Sequence, residues 1–175
     1  NPRWTKIDDQ YALLHNATAV VNYLDSAGTM FKDRTTKITL NLVRLADMGI
    51  EKNVTHEFLL PTEDLAKHYA ITRIDCPVIS NGKAYYGVTM NQYDTTTQET
   101  VSGFISTATL VVDYPSLENP TVISTPIAKG ATNGYRTPNA HAFENGDIYQ
   151  ASDDGKQTTF LRLKNGAYDA SYSLD

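Results

Sequence analysis

The chain is short of cysteine, of positive charge and of long apolar runs, and each shortage closes off a class of protein. Its 175 residues include one cysteine, Cys76, which allows neither an intrachain disulfide nor a thiolate metal site. Fifteen Lys and Arg stand against twenty Asp and Glu, and the formal net charge of −5 argues against a general nucleic-acid binder. No apolar run approaches the roughly 18 residues of a membrane-spanning helix. The sequence opens Asn1-Pro2-Arg3, with no initiator Met and no charged-then-apolar leader. The expectation is a removed start or an internal piece of something longer. Helix signals are scarce as well. The best lies at residues 61–69, where Thr62 precedes Glu63 and Asp64, and it predicts a short helical connector.

What is present favours strands. There are 22 Thr and 11 Tyr, residue types that suit a pleated, half-buried surface. Three segments share an order of features. Asn81-Gly82 and Asn145-Gly146, 64 residues apart, each follow one strand-like run and precede another with a Tyr third after the Gly. Asn-Gly tolerates positive φ, so both predict tight hairpins. A further strand pair follows each: residues 106–114 with 120–124, and residues 158–163 with 167–174. The first segment fits more loosely, through runs at residues 10–15, 37–44 and 55–60. Four strands per unit of about 45 to 65 residues is the pattern of a β-propeller blade. The expected fold is therefore all-β, a propeller represented by about three four-stranded blades at residues 1–61, 62–129 and 130–175. Three blades do not close a ring, so the chain reads as part of a larger one. Leu110-Val111-Val112, apolar without interruption, is expected of a strand covered on both faces. The alternative is a β-sandwich, whose cleaner alternation Phe160-Leu161-Arg162-Leu163-Lys164 partly shows.

The last segment carries a more specific signal. Asn145-Gly146-Asp147-Ile148-Tyr149, then Phe160-Leu161-Arg162-Leu163-Lys164-Asn165-Gly166, then Tyr168-Asp169-Ala170-Ser171-Tyr172, resembles a late blade of an uncharacterised-domain family of Bacteroidota. The close match covers about the last 40 residues, and residues 113–120 match more loosely. Members of that family are propeller lipoproteins of the outer membrane, often found beside TonB-dependent receptors. Some are xenosiderophore-utilisation proteins that capture ferric siderophores such as ferric enterobactin. The resemblance implies a cell-surface lipoprotein, its anchor outside this segment, whose partners are a ferric siderophore or similar anionic iron chelate and a TonB-dependent transporter. Iron would enter only as part of the bound chelate, with no resident cofactor. Asp25-Ser26-Ala27 and Asp94-Thr95-Thr96 resemble that phylum's O-glycosylation acceptor, a pattern common by chance.

On the propeller reading, the connections entering each inner strand lie on one face near the axis. Each carries an arginine: Arg3, Arg73 and Arg136. Guanidinium groups offer a fixed fork of donors to carboxylate, phosphate or catecholate oxygens. Trp4 and Tyr135 beside them offer aromatic faces, and His141 falls in a predicted inner strand. These six residues are the candidate ligand site. The competing reading pairs each arginine with a local acid, Arg73 with Asp75 being the obvious case, and makes His141 a hydrogen-bonded structural histidine. His15, His56, His68 and His141 have no metal-ligand spacing. Asp8-Asp9 and Asp153-Asp154-Gly155 suit solvated turns better than a calcium loop. Cys76 reads as a small core residue, and Met90 with Tyr93 as the lip of a site or an exposed hairpin extension. No serine-hydrolase elbow, phosphate-cradling loop or dinucleotide fingerprint is present. The chain therefore reads as a binding protein and not an enzyme. A lactonase or quinoprotein-like enzyme on the same scaffold, and a scaffold that only docks a receptor, are the alternatives.

Overall fold

In the computed structural model, which describes residues 3–62, 67–101, 103–132, 134 and 139–175, the chain is all-β, built as three separate antiparallel sheets. The first is a meander of β1 (Arg3–Lys6), β2 (Tyr11–Tyr23), β3 (Phe31–Arg44) and β4 (Ile50–Phe58). The third is a meander of β11 (Ala140–Ala142), β12 (Ile148–Asp153), β13 (Thr158–Lys164) and β14 (Ala167–Leu174). The middle sheet is more elaborate. It contains β5 (Tyr69–Ile74), β6 (Val78–Ser80), β7 (Lys83–Asp94), β8 (Glu99–Val101), β9 (Thr107–Asp113) and β10 (Thr121–Thr125).

The long strand β7 organises that middle sheet. Its first part, Lys83–Gly87, pairs with β6 on one edge and β9 on the other. Its second part pairs with β5 and β8. The change of partners falls at Gly87, where a Cβ would lie 2.2 Å from Thr132 Oγ1, so only glycine lets Thr132 lie against the strand. The arginine-bearing segments 71–75 and 2–4, expected to be connections, are thus paired strand at Ile71–Ile74 in β5 and at Arg3-Trp4 in β1. Of the predicted helical connector, residues 63–66 lie outside the described residues; Lys67 and His68 are helical, and Tyr69 opens β5.

Asn81 and Gly82 both have positive φ (49° and 73°), as the predicted tight turn requires. Asn165 and Gly166 repeat this between β13 and β14. Asn145-Gly146 does not. Of that pair only Gly146 has positive φ, and the connection is a wider loop closed by Phe143 N donating to Asp147 O at 2.9 Å. Asn145 instead accepts the Asp147 N–H through its side chain, which holds the loop open.

Alternation along the strands makes the core. Leu13, Ile38, Leu40 and Leu42 of the first sheet pack on Ile71, Tyr86, Val88, Leu110 and Val112 of the middle one. On the middle sheet's other face, Tyr85 and Val111 pack on Ile148 and Leu163 of the third. Leu110-Val111-Val112 is therefore covered from both sides. Met90 and Tyr93, expected at an exposed lip, are 3% and 7% exposed. The far ends of β2 and β3 cover them: Phe31 stacks on Tyr93 at 5.6 Å, and the Tyr23 and Tyr93 hydroxyls meet at 3.4 Å. Asp8 and Asp154 accept backbone N–H groups within their own turns, as the solvated-turn reading requires.

Candidate functional site

Two of the candidate arginines come together. Arg3 of β1 lies directly across from His15 of β2, so both side chains share a face of the first sheet. Arg73 of β5 arrives from the middle sheet, where a register shift between Ile71 and Arg73 interrupts the strand's alternation. Arg3, His15, Asn16, Thr72 and Arg73 line one cavity of about 330 Å³. That size is near the lower end of small-molecule sites, which run from ~300 to ~1,000 Å³.

The acid expected beside Arg73 is there as well. Asp75 is buried and accepts from Arg73 Nε at 3.0 Å. It also accepts from the Thr132 hydroxyl and from Gly134 N at 2.8 Å, while its own N–H bonds to Gly87 O. Asp75 thereby fixes the guanidinium at the cavity wall and ties Thr132 and Gly134 to it.

His15 is the residue that sequence reasoning missed. It is 1% exposed, and neither ring nitrogen has a hydrogen-bond partner. Its ring stands edge-on to Tyr86, 5.2 Å between centroids, and the Tyr86 hydroxyl is likewise buried without a partner. Burial, helped by the nearby positive charge of Arg3, lowers the imidazole to about 4. The Ile74 backbone acts against this shift without reaching hydrogen-bond geometry. At neutral pH the ring is therefore uncharged and carries one donor and one acceptor, both unused. Buried polar groups are nearly always paired, and an orphaned pair beside a cavity marks a place where something polar belongs. One sequence signal was available: His15 sits between Leu13 and Ala17, in the register of core residues.

The other candidates lie elsewhere. Trp4 is one residue from Arg3 on a strand, opposite Leu14, and so points to the other face; it is 45% exposed. His141 is on the third sheet, edge-on to Phe143 at 4.7 Å. With Tyr149 and Phe160 it lines a separate open groove of about 500 Å³. Neither shares the Arg3–Arg73 cavity, because strand alternation turns Trp4 away and a different sheet carries His141. Tyr135 and Arg136 lie outside the described residues.

Among the described residues no cluster of three or more His, Cys, Asp or Glu is arranged to hold a metal ion. His56 Nε2 meets Leu117 O at 2.8 Å, and His68 stacks on Phe31. Cys76 is half-buried. No described helix is long and apolar enough to cross a membrane. The chain matches no protein-family model, no curated protein and no solved structure.

Proposed function

We propose that the chain is a ligand-binding part of a β-propeller, its three sheets forming successive blades. Its ligand is an anion held in the Arg3–Arg73–His15 cavity. One observation carries this reading: two guanidinium groups from different sheets open into one cavity with a buried, unpartnered imidazole. Donor-only guanidinium forks favour carboxylate, phosphate or catecholate oxygens and disfavour a bare metal cation. The family resemblance supplies the ligand class, a ferric siderophore or similar anionic iron chelate. It also supplies the setting, a cell-surface lipoprotein passing its ligand to a TonB-dependent transporter. A cavity of about 330 Å³ takes one anionic arm of such a chelate and leaves the rest outside.

Trp4, the chain's one tryptophan, reports on this without a label. Ferric enterobactin is expected to quench its fluorescence saturably, with iron-free enterobactin as control. The double variant Arg3→Gln, Arg73→Gln should weaken the interaction by at least tenfold, since charge-assisted hydrogen bonds are each worth about 1.5–3 kcal/mol. Unchanged affinity in the double variant would remove the cavity from the account. Among the residues that line the cavity, His15 is the candidate base for the enzyme reading. An imidazole held at about 4 is a weak base at neutral pH, so lactone hydrolysis by the wild-type chain is expected at the buffer rate.

A further inference from the structure

His15 has no role in holding the fold through hydrogen bonds, yet it occupies the floor of a cavity with two cations on its walls. Among the described residues the Ile74 backbone and a small set of side chains face it. Arg3 approaches from β1 across the strand pair, and Arg73 comes from β5. From β7 the Tyr86 ring meets it edge-on, and its neighbour on β3 is the apolar Leu40. The acid nearest in sequence to this wall, Asp75, is occupied by Arg73, Thr132 and Gly134. Without a ligand, a proton on His15 would face the Arg3 guanidinium, while Arg73 is paired with Asp75 and the Ile74 carbonyl lies short of hydrogen-bond geometry. An oxyanion in the cavity reverses both conditions: it supplies an acceptor and offsets the positive charge.

From this geometry we infer that His15 is the third binding group of the cavity, and that an oxyanion seated between Arg3 and Arg73 binds together with one proton taken up on the imidazole. The inference rests on the anion-site reading above and adds coupling to it. A proton moves from solvent to a ring nitrogen, and no other bond changes. The ring's value is about 4 in the free protein and rises when the anion is present. Binding therefore tightens as pH falls through the raised value, by at most about tenfold per pH unit, and levels off near pH 4. Ligand captured in a mildly acidic medium would be released as the pH rises.

The test uses two probes whose own charge is constant between pH 5 and 8, sulfate and 2,3-dihydroxybenzoate. Calorimetric titration of the full chain in two buffers of different ionisation enthalpy counts protons directly. The expected result is an uptake near zero at pH 8 and approaching one proton per site at pH 5, with affinity rising over the same range. In His15→Gln the proton uptake and the rise in affinity towards pH 5 should both vanish, leaving only the weaker, pH-independent binding that the two arginines supply. The wild-type proton count stands on its own should that variant not fold. Binding with no proton uptake overturns the coupling and leaves the anion site standing. Uptake that survives in a folded His15→Gln variant places the proton elsewhere and also overturns it. Failure of both probes to bind at any pH overturns the anion site, and the coupling with it.

Discussion

The two junctions between sheets are built from different chemistry. Where the first sheet meets the middle one, the contact is broad and apolar, with Leu13, Ile38, Leu40, Leu42, Ile71 and Leu110 fully buried. Its polar members are few, such as Arg34, which reaches across to Asn91 O at 2.8 Å, and Thr36, which accepts from Ile71 N. Where the middle sheet meets the third, four buried apolar side chains suffice for the cluster, and polar pairs do the rest. Thr107 and Ser152 hydroxyls meet at 2.6 Å, and Thr109, Gln150 and Tyr168 form a closed triad with contacts of 2.7–3.2 Å. Apolar burial is non-directional and holds whatever register the pattern sets. Hydrogen-bonded triads contribute less net stability but demand one register. The first junction therefore stores the stability, and the second defines alignment. The candidate cavity is lined by residues of the two sheets that meet at the first junction.

Breaking the first junction gives the largest expected effect. Leu110→Ala removes a fully buried side chain between the first two sheets and should cost about 3–4 kcal/mol, read as a shift in the denaturation midpoint. It should lower amide-exchange protection in all three sheets together. The next effect is acid lability from His15. Its folded value of about 4 lies below the ordinary 6.5, so the unfolded chain binds more protons between the two. The stability contribution is complete above pH 6.5 and is lost as pH falls towards 4, by about 3 kcal/mol in all. His15→Leu should flatten the melting temperature over that window, and a saturating anion should protect the wild-type chain in the same range. The smallest effect is expected at the second junction. Gln150→Leu opens the triad but leaves Thr109 bonded to Tyr168, so it should cost about 1–2 kcal/mol. Exchange should rise in β11–β14 while β2, β3 and β7 stay protected, and a uniform loss would erase the distinction between the junctions.

Much of this was legible in the residues, and the remainder was hidden for identifiable reasons. The uninterrupted run Leu110-Val111-Val112 announced a strand covered on both faces, and Asn81-Gly82 announced its turn, because both signals are local. Strand β5 was not announced: Tyr69–Ile74 gains its pairing only because β7 runs on past Gly87, a long-range event. Met90 and Tyr93 looked exposed because the ends of β2 and β3 that cover them are distant in sequence. Arg3 and Arg73 were picked out for their chemistry, and the fold brings them together. Trp4 is adjacent to Arg3 in sequence, which in a strand means the opposite face. A histidine among core residues is usually satisfied, so the sequence does not mark His15; here its two nitrogens have no partner.

The histidines offer the most direct test of the central claim, since His15 lines the arginine cavity and His141 the aromatic groove of the third sheet. Imidazole resonances can be followed by NMR as 2,3-dihydroxybenzoate or a ferric catecholate analogue with a diamagnetic metal is added. The account predicts saturable shifts at His15, lost in Arg3→Gln, Arg73→Gln, with His141 unmoved. Shifts at His141 with His15 unchanged would contradict it and move the site to the other end of the molecule.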